Sequence, residues 1–410
     1  MRARRDGVLR PESLPFVLAH VSDFHVSTFG DTLHDRAQLI KRSTHVADVS
    51  AERFDTCWAE GGWRVLRDRH KKKADVVLVD PEGYAHPVPT ARESGGLLLD
   101  PVERAAAKAC RLEARRAPTL ADAPPGEGAL AQMLETTPRN TNLRLLRAAR
   151  AVTEQNVDAV VITGDCTDDG QGWELVESAF ARWRDRKRLF IIPGNHDLYL
   201  FPIASSARPR PTHESKRTRW REVAARAGLE LQPCGAWKRT LDEADAIVVG
   251  LDSCSRKQRA FFRQNGAIGP EQLAWLHEVA GTREWKDARH RIVLVHHHVV
   301  QLPIGVGKRA PTEIGMRLDD GRTFADTLAE VGATLIMHGH RHVSERRHPA
   351  GYDFELLAAP SLTLGCKSGD SPSFWRVELD RHVHAERIRV PVEALEQEND
   401  PGTDPPPPLE

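Results

Sequence analysis

At 410 residues, the chain has room for two or three domains of about 150 residues, or for one enlarged α/β domain, and it is long enough to bury a core without disulfide staples. Its 58 Lys+Arg balance 58 Asp+Glu, which excludes a polybasic, generally nucleic-acid-binding protein. No apolar run reaches about 18 residues, so no membrane span is expected. The basic N-terminus does not read as a signal peptide, and the six cysteines (57, 110, 166, 234, 254 and 366) contain no CxxC pair. A reducing, cytoplasmic setting with ordinary buried thiols is the expectation.

Short apolar runs recur along the chain, each ending in polar, chemically capable residues. In order they are FVLAHVSDFH (16–25), DAVVITGD (158–165), RLFIIPGNHD (188–197), AIVVGLDS (246–253), RIVLVHHH (291–298) and ATLIMHGHRH (333–342). Their Val, Ile and Leu content with little polar alternation predicts strands covered on both faces. Helical patterns lie between them, at 141–155, 172–185, 269–281 and 324–332. The third has Pro near its start and Gly at its end, and the fourth stops at Gly. Strand alternating with helix implies a layered α/β domain. Three further strand-like runs near the C-terminus (YDFELLAAP, SFWRVELD and HVHAERIRV) would complete or face a sheet.

Two segments depart from this scheme. Residues 31–139 are too long for a loop and read as an inserted cap or subdomain after the first strand. They include a strand-like run at 74–80, an Ala/Arg-rich helical stretch near 101–116 and a turn-rich APPGEG; 17 Lys+Arg against 17 Asp+Glu leave the segment neutral. Residues 391–410, rich in Pro and acidic side chains, read as a disordered tail.

Eight of the 19 histidines fall between His290 and His348, and that clustering asks for a chemical reason. The strand ends offer Asp23-Phe24-His25, Gly164-Asp165, Gly194-Asn195-His196-Asp197, His296-His297-His298 and Gly339-His340-Arg341-His342. Functional groups collect beyond the carboxyl ends of strands in such sheets. In an extended chain the period of two sends Asp23 and His25 to one side, and His340 and His342 likewise. Glycines beside Asp165, Asn195 and His340 permit tight turns and close backbone approach. Mixed carboxylate, amide and imidazole donors suit Mn, Fe, Zn or similar divalent ions rather than a thiolate-rich zinc site.

The series D-x-H, G-D-x-x-D, G-N-H-D, H-H and G-H-x-H resembles the calcineurin-like metallophosphoesterase superfamily over residues 16–30 and about 140–390. GAIGPEQLAWLHEVA after VVGLDS is further similar to the Q-x-x-W-L helix of the class III cyclic-nucleotide phosphodiesterase-like branch. The resemblance implies a metallophosphoesterase β-sandwich flanked by helices, with a catalytic domain over 14–30 and 140–390. It also implies two divalent metal ions. Asp23, His25 and His342 would hold one, and Asn195, His296 and His340 the other, with Asp165 bridging. His297 is the substitute for His296, and His298 shares its side of the strand. Two cations about 3.5–4 Å apart make a bridging water a hydroxide near neutral pH and clamp phosphate oxygens during in-line displacement. His196 would protonate the leaving group, with Asp168 orienting it.

The expected activity is hydrolysis of a phosphodiester or phosphomonoester, with cyclic nucleotides and related nucleotides among the substrates in view. The family's phosphoprotein phosphatases follow G-D-x-x-D with Arg-Gly, whereas this chain has Asp169-Gly170, which argues against a phosphoprotein substrate. A nuclease of the same fold is the alternative, motivated by Arg64, Arg67, Arg69 and Lys71–Lys73 with Trp58 and Trp63 for base stacking. That cluster reads more simply as a solvated helix face, and nucleic acid is not the favoured partner. A non-catalytic metal-binding interaction module is the third reading, and the full set of ligands counts against it. An apolar cap that would suit a lipid-head-group substrate is not established by Leu97-Leu98-Leu99.

Overall fold

Apolar residues on both faces make strands that are buried throughout, and β1 (Phe16–Val21), all six of whose residues are buried, is the first. The computed structural model describes residues 15–27, 53–70, 76–79, 85–87, 130, 134, 140–168, 170, 172–200, 211–254, 264–300, 316–365 and 371–391. The helical stretch near 101–116, the APPGEG turn, the Leu97–Leu99 run, Lys71–Lys73 and residues 392–410 lie outside these.

In chain order the remaining elements begin with strands β2 (Phe54–Glu60), β3 (Trp63–Asp68), β4 (Val76–Val79) and β5 (Ala85–Pro87). Helix α1 (Thr141–Glu154), strand β6 (Ala159–Ile162), helices α2 (Trp173–Ala179) and α3 (Ala181–Arg184) and strand β7 (Leu189–Ile191) follow. Next come α4 (Asn195–Leu198), α5 (His213–Arg226), β8 (Trp237–Leu241), β9 (Ala246–Gly250), α6 (Pro270–Gly281), α7 (Arg283–Asp287) and β10 (His290–Leu294). The chain then forms α8 (Gly321–Glu330), β11 (Leu335–His338), β12 (Glu345–Arg347), β13 (Glu355–Ala358), β14 (Ser373–Leu379) and β15 (Val383–Arg389).

Two mixed sheets carry the site. One runs β15-β14-β1-β6-β7 and the other β12-β13-β11-β10-β9-β8. Their centres are parallel: β1 pairs β6 and β6 pairs β7, while β9, β10, β11 and β13 run alongside one another. The C-terminal strands complete both sheets, β13 in the second and β14–β15 in the first, where β14 lies antiparallel to β1.

The period of two decides which side chains meet across the sandwich. Val248, Ile292, Leu294, Leu335, Met337 and Leu357 of the second sheet share a cluster with Leu18, Val160 and Ile191 of the first. Their alternates Ile247, Val249, Val293, Ile336 and Leu356 turn outward onto Leu276 and Val279 of α6 and Phe324 and Leu328 of α8. Two indoles tie the sheets together. Trp237 Nε1 on β8 donates to the Ile191 carbonyl at 3.1 Å, and Trp375 Nε1 on β14 donates to the Ala358 carbonyl at 2.8 Å. The fold is therefore the α/β sandwich flanked by helices that the sequence implied.

Strands β2–β5 form a third, antiparallel sheet within the 31–139 segment. The Arg64–Arg69 stretch, read above as a helix face, is strand β3. Its pattern of Trp63, Val65, Leu66 and Asp68 buried against Arg64 and Arg67 exposed has no 3.6-residue stripe. Leu130 and Leu134, from the far end of the same segment, are buried in the main core. The pattern at 172–185 breaks into two short helices at Phe180.

Candidate metal centre

Each candidate ligand lies just beyond a strand end. Asp23 and His25 follow β1, Asp165 follows β6, Asn195 follows β7, His296 follows β10, and His340 and His342 follow β11. Asp23, His25, Asp165, Asn195, His296 and His340 are buried, and the His342 and His196 side chains are each 15% exposed. The structure gathers two groups whose donor atoms lie within 4.8 Å of one another: Asp23, His25 and His342, and Asp165, His296 and His340. Asn195 Oδ1 joins the second, 3.0 Å from His296 Nε2.

The pairs converge by a different backbone from the extended one expected. Asp23, His25, Asp165, His340 and His342 all have φ between 50° and 72°, five of the eight left-handed non-glycine residues among those described. Such a conformation costs roughly 1–2 kcal/mol per residue, so its concentration at these ligands marks a site the surrounding structure holds in place. Close approach supplies part of that hold. A Cβ on Gly194 would lie 2.1 Å from Asp165 Oδ1, and one on Gly339 would lie 1.9 Å from Ser22 Oγ. These glycines let the loops touch.

Hydrogen bonding fixes which ring nitrogen each histidine presents. His25 Nδ1 lies 2.6 Å from Asp168 Oδ1, which turns Nε2 toward His342 Nε2 at 2.9 Å and the Asp23 group. His296 Nδ1 donates to the Thr163 carbonyl at 2.7 Å, so Nε2 faces Asn195 Oδ1 and, at 3.3 Å, Asp165 Oδ2. His340 Nε2 donates to the Met316 carbonyl at 3.0 Å. Nitrogen lone pairs thus face carboxylate and amide oxygens at short range, an arrangement that only a proton or a cation relieves. The donor set suits hard-to-borderline divalent ions.

His297 has both nitrogens committed, Nδ1 to Ser253 Oγ and Nε2 to the Gln264 carbonyl, each at 2.7 Å. Of the two alternatives, His296 is the one turned to Asp165. His298 stands apart from both groups, its ring stacked 6.1 Å from that of His340. A third nearby set, His25, Asp168 and His196, looks like a metal nest by composition alone. There Asp168 Oδ1 meets both His25 Nδ1 and, at 2.9 Å, His196 Nδ1, the contacts an orienting carboxylate makes.

Burial disfavours charge on His25, yet the Asp168 charge and hydrogen bond outweigh it, with help from Asp165 and Asp23, and push the ring up to about 9. His296 is buried too and is pushed up to about 9, chiefly by Asp165. In protein stripped of metal both rings therefore hold a proton at pH 7, and an ion must displace it. We expect metal uptake at pH 7 to release protons and to tighten as the pH climbs toward 9, read by calorimetry in two buffers of different ionisation heat. Stability of the stripped protein runs the other way. Its share from these two rings is full below pH 6.5 and is lost as the pH rises through 9.

Sequence reasoning missed three groups. Lys216, buried on α5, donates from Nζ to the carbonyls of His196 and Tyr199, each at 2.7 Å, while the His196 amide donates to Asp165 Oδ1 at 2.8 Å. The backbone of His196 is pinned at both ends. Asp197 ties the two glycine turns together, and Gln272 of the Q-x-x-W-L helix pairs with both the amide and the carbonyl of Asp252. A buried Lys and a helix-borne Gln carry no local signal of such roles.

The sandwich and its nest of strand-end donors define a metal-dependent phosphoric ester hydrolase. Residues 138–344, half of the chain, match the calcineurin-like phosphoesterase family, and the chain belongs to that family. Among solved structures it is similar to a dimetal phosphatase from Danio rerio, at 14% identity over 62% of this chain and 90% of that one, with a TM-score of 0.42. It is also similar to a purple acid phosphatase from yellow lupin (Lupinus luteus) seeds, at 11% identity over 61% of this chain and 47% of that one, with a TM-score of 0.39. Comparison with curated proteins gives no match. Among the described residues no helix is long and apolar enough to cross a membrane.

Proposed function

We propose that this phosphoesterase is dinuclear and hydrolyses a small phosphodiester or phosphomonoester of nucleotide or cyclic-nucleotide type. Asp23, His25 and His342 would hold one ion, Asn195, His296 and His340 the second, and Asp165 would bridge them. The observation that carries the reading is that the donor atoms of Asp23, His25 and His342, and those of Asp165, His296 and His340, each converge within 4.8 Å, with His25 and His296 each held through Nδ1 by a protein oxygen. Bound there, two divalent ions of the Mn, Fe or Zn type supply Lewis acidity toward phosphate oxygens and a nucleophile at neutral pH.

The chain's own part in the proposal is orientation and proton delivery. Asp168 holds His196 by Nδ1, so Nε2 is the atom offered to a leaving-group oxygen. Its neighbours restrain its backbone, which keeps that offer in register with the ligands. We expect His196→Asn to lower kcat about 10²–10⁴-fold on an alkyl phosphate ester, whose leaving group needs a proton, and less than about tenfold on a nitrophenyl ester. Equal losses on both would remove His196 from this role.

The cyclic-nucleotide branch rests on the likeness of residues 266–280 alone, and there Gln272 serves the fold through Asp252. We assign substrate choice to the 31–139 segment, whose β2–β5 sheet is separate from the catalytic sheets. The nuclease alternative has less behind it. Trp63 is buried and Arg69 is ion-paired with Asp55. A cytoplasmic location belongs to the same proposal, in keeping with the free cysteines at 57, 166, 234 and 254 among the described residues. The test is a panel of aryl phosphomonoesters and diesters with Mn, Fe(II) and Zn, alongside metal analysis of reconstituted protein. Fewer than two ions per chain, or turnover indifferent to metal, would sink it.

A further inference from the structure

The loop that carries Asp23 and His25 is held along its length. The carbonyl of Ser22 accepts from the Leu362 amide at 2.9 Å, that of Asp23 from Ser361 Oγ at 2.6 Å, and that of Phe24 from Thr363 Oγ1 at 2.8 Å. The His25 carbonyl accepts from Thr141 Oγ1 at 2.9 Å, that of Val26 from the Asp168 amide at 2.8 Å, and that of Ser27 from Asn142 Nδ2 at 2.8 Å. Six consecutive carbonyls thus have named donors, and four of those donors are side chains from two distant segments: the first turn of α1 and residues 361–363, which follow β13. Asn142 Oδ1 also accepts from the Ser27 amide at 3.1 Å, and Arg144 donates to the Thr363 carbonyl at 2.8 Å.

The second ligand group is held otherwise. Asp165 accepts from the His196 amide, His296 donates to a backbone carbonyl, and Asn195 opens α4. None of these contacts uses a side chain of α1 or of residues 361–363. Left-handed residues at Asp23 and His25 need outside support; their amides donate to the Gly164 and Asp165 carbonyls, each at 3.0 Å, the Asp23 carboxylate accepts from the His340 amide, and removable hydroxyl and amide groups hold the carbonyl side.

We propose that Ser361, Thr363, Thr141 and Asn142 are positioning residues for one ion only, the one at Asp23, His25 and His342, so that the C-terminal segment sets the affinity of that half of the centre. The inference rests on the dinuclear reading above. Thr363→Val keeps the shape and removes the donor; Thr363→Ser restores it. The measurement is Mn binding to stripped protein by calorimetry and electron paramagnetic resonance, with His342→Ala and Asn195→Ala identifying which event belongs to which half.

In Thr363→Val we expect the Asp23-side event to weaken about 10–100-fold, the other to change less than threefold, and Thr363→Ser to behave like the parent. Should Thr363→Val fail to fold, Ser361→Ala is read in the same way. Equal weakening of both events, or no weakening of either, overturns the proposal while leaving the dinuclear reading intact. A parent chain that binds fewer than two ions overturns that reading, and this one with it.

Discussion

Asp165→Asn is expected to lower kcat/KM on a generic aryl phosphate ester by at least about 10³-fold, roughly 4 kcal/mol of transition-state stabilisation, with the fold retained. Asp165 is buried, with Oδ2 3.3 Å from His296 Nε2 and 4.0 Å from His196 Nε2, and in the proposed centre it would bridge the two ions. Burial alone would raise its carboxyl; the surrounding histidines, His296 foremost, hold it far below the ordinary range, so it is a fixed negative charge. An amide removes that charge and the anionic oxygen that would bridge the two ions. It keeps an oxygen for the His196 amide, and Asn tolerates the left-handed backbone at this position as Asp does. Activity and folding should therefore separate. Unchanged thermal melting with turnover below about a thousandth of the parent supports the assignment; a variant retaining a tenth of the parent activity refutes it.

The ligands were legible because each is a chemically distinctive residue just past an apolar strand, and both features are local. Their convergence was expected for a reason that does not operate here. Asp23 and His25 share a direction through two left-handed residues, and His340 and His342 do likewise, not through an extended pleat. The choice between His296 and His297 could not be made from spacing, since it depends on Ser253, the Gln264 carbonyl and the Thr163 carbonyl, up to 133 positions away.

Helix α5 escaped notice because HESKRTRWREVAAR buries only Lys216, Trp220, Val223 and Ala224, a narrow stripe on a charged helix. Strand β3 carries Arg64 and Arg67 on exposed positions and resembles a helix surface until its pairing with β2 and β4 is known. The hydroxyls at 361 and 363 are ordinary residues in sequence, and only the carbonyls opposite give them a task. Composition, likewise, does not reveal that Asp168 meets histidines on both sides.

Asp197→Asn should destabilise the protein by roughly 3–5 kcal/mol, the cost of leaving buried donors unmet. The G-N-H-D motif drew attention to its first three residues, yet its Asp accepts four hydrogen bonds. Oδ1 accepts from the Thr167 amide at 2.8 Å and Thr167 Oγ1 at 2.9 Å, while Oδ2 accepts from the Gly194 amide at 2.8 Å and the Cys166 amide at 3.2 Å. All four partners are donors. Burial and the nearby Asp165 charge push the carboxyl up to about 6, against the pull of those donors, so at neutral pH it is ionised and accepts on both oxygens. An isosteric amide must aim its NH2 at two of them, placing donor against donor in a site without solvent. The loops after β6 and β7, which carry Asp165 and Asn195, are joined by this one side chain, so thermal melting should drop by roughly 4–8 °C and bound metal should fall in step. A melting temperature within 2 °C of the parent would show that the glycine contacts hold the two loops together unaided.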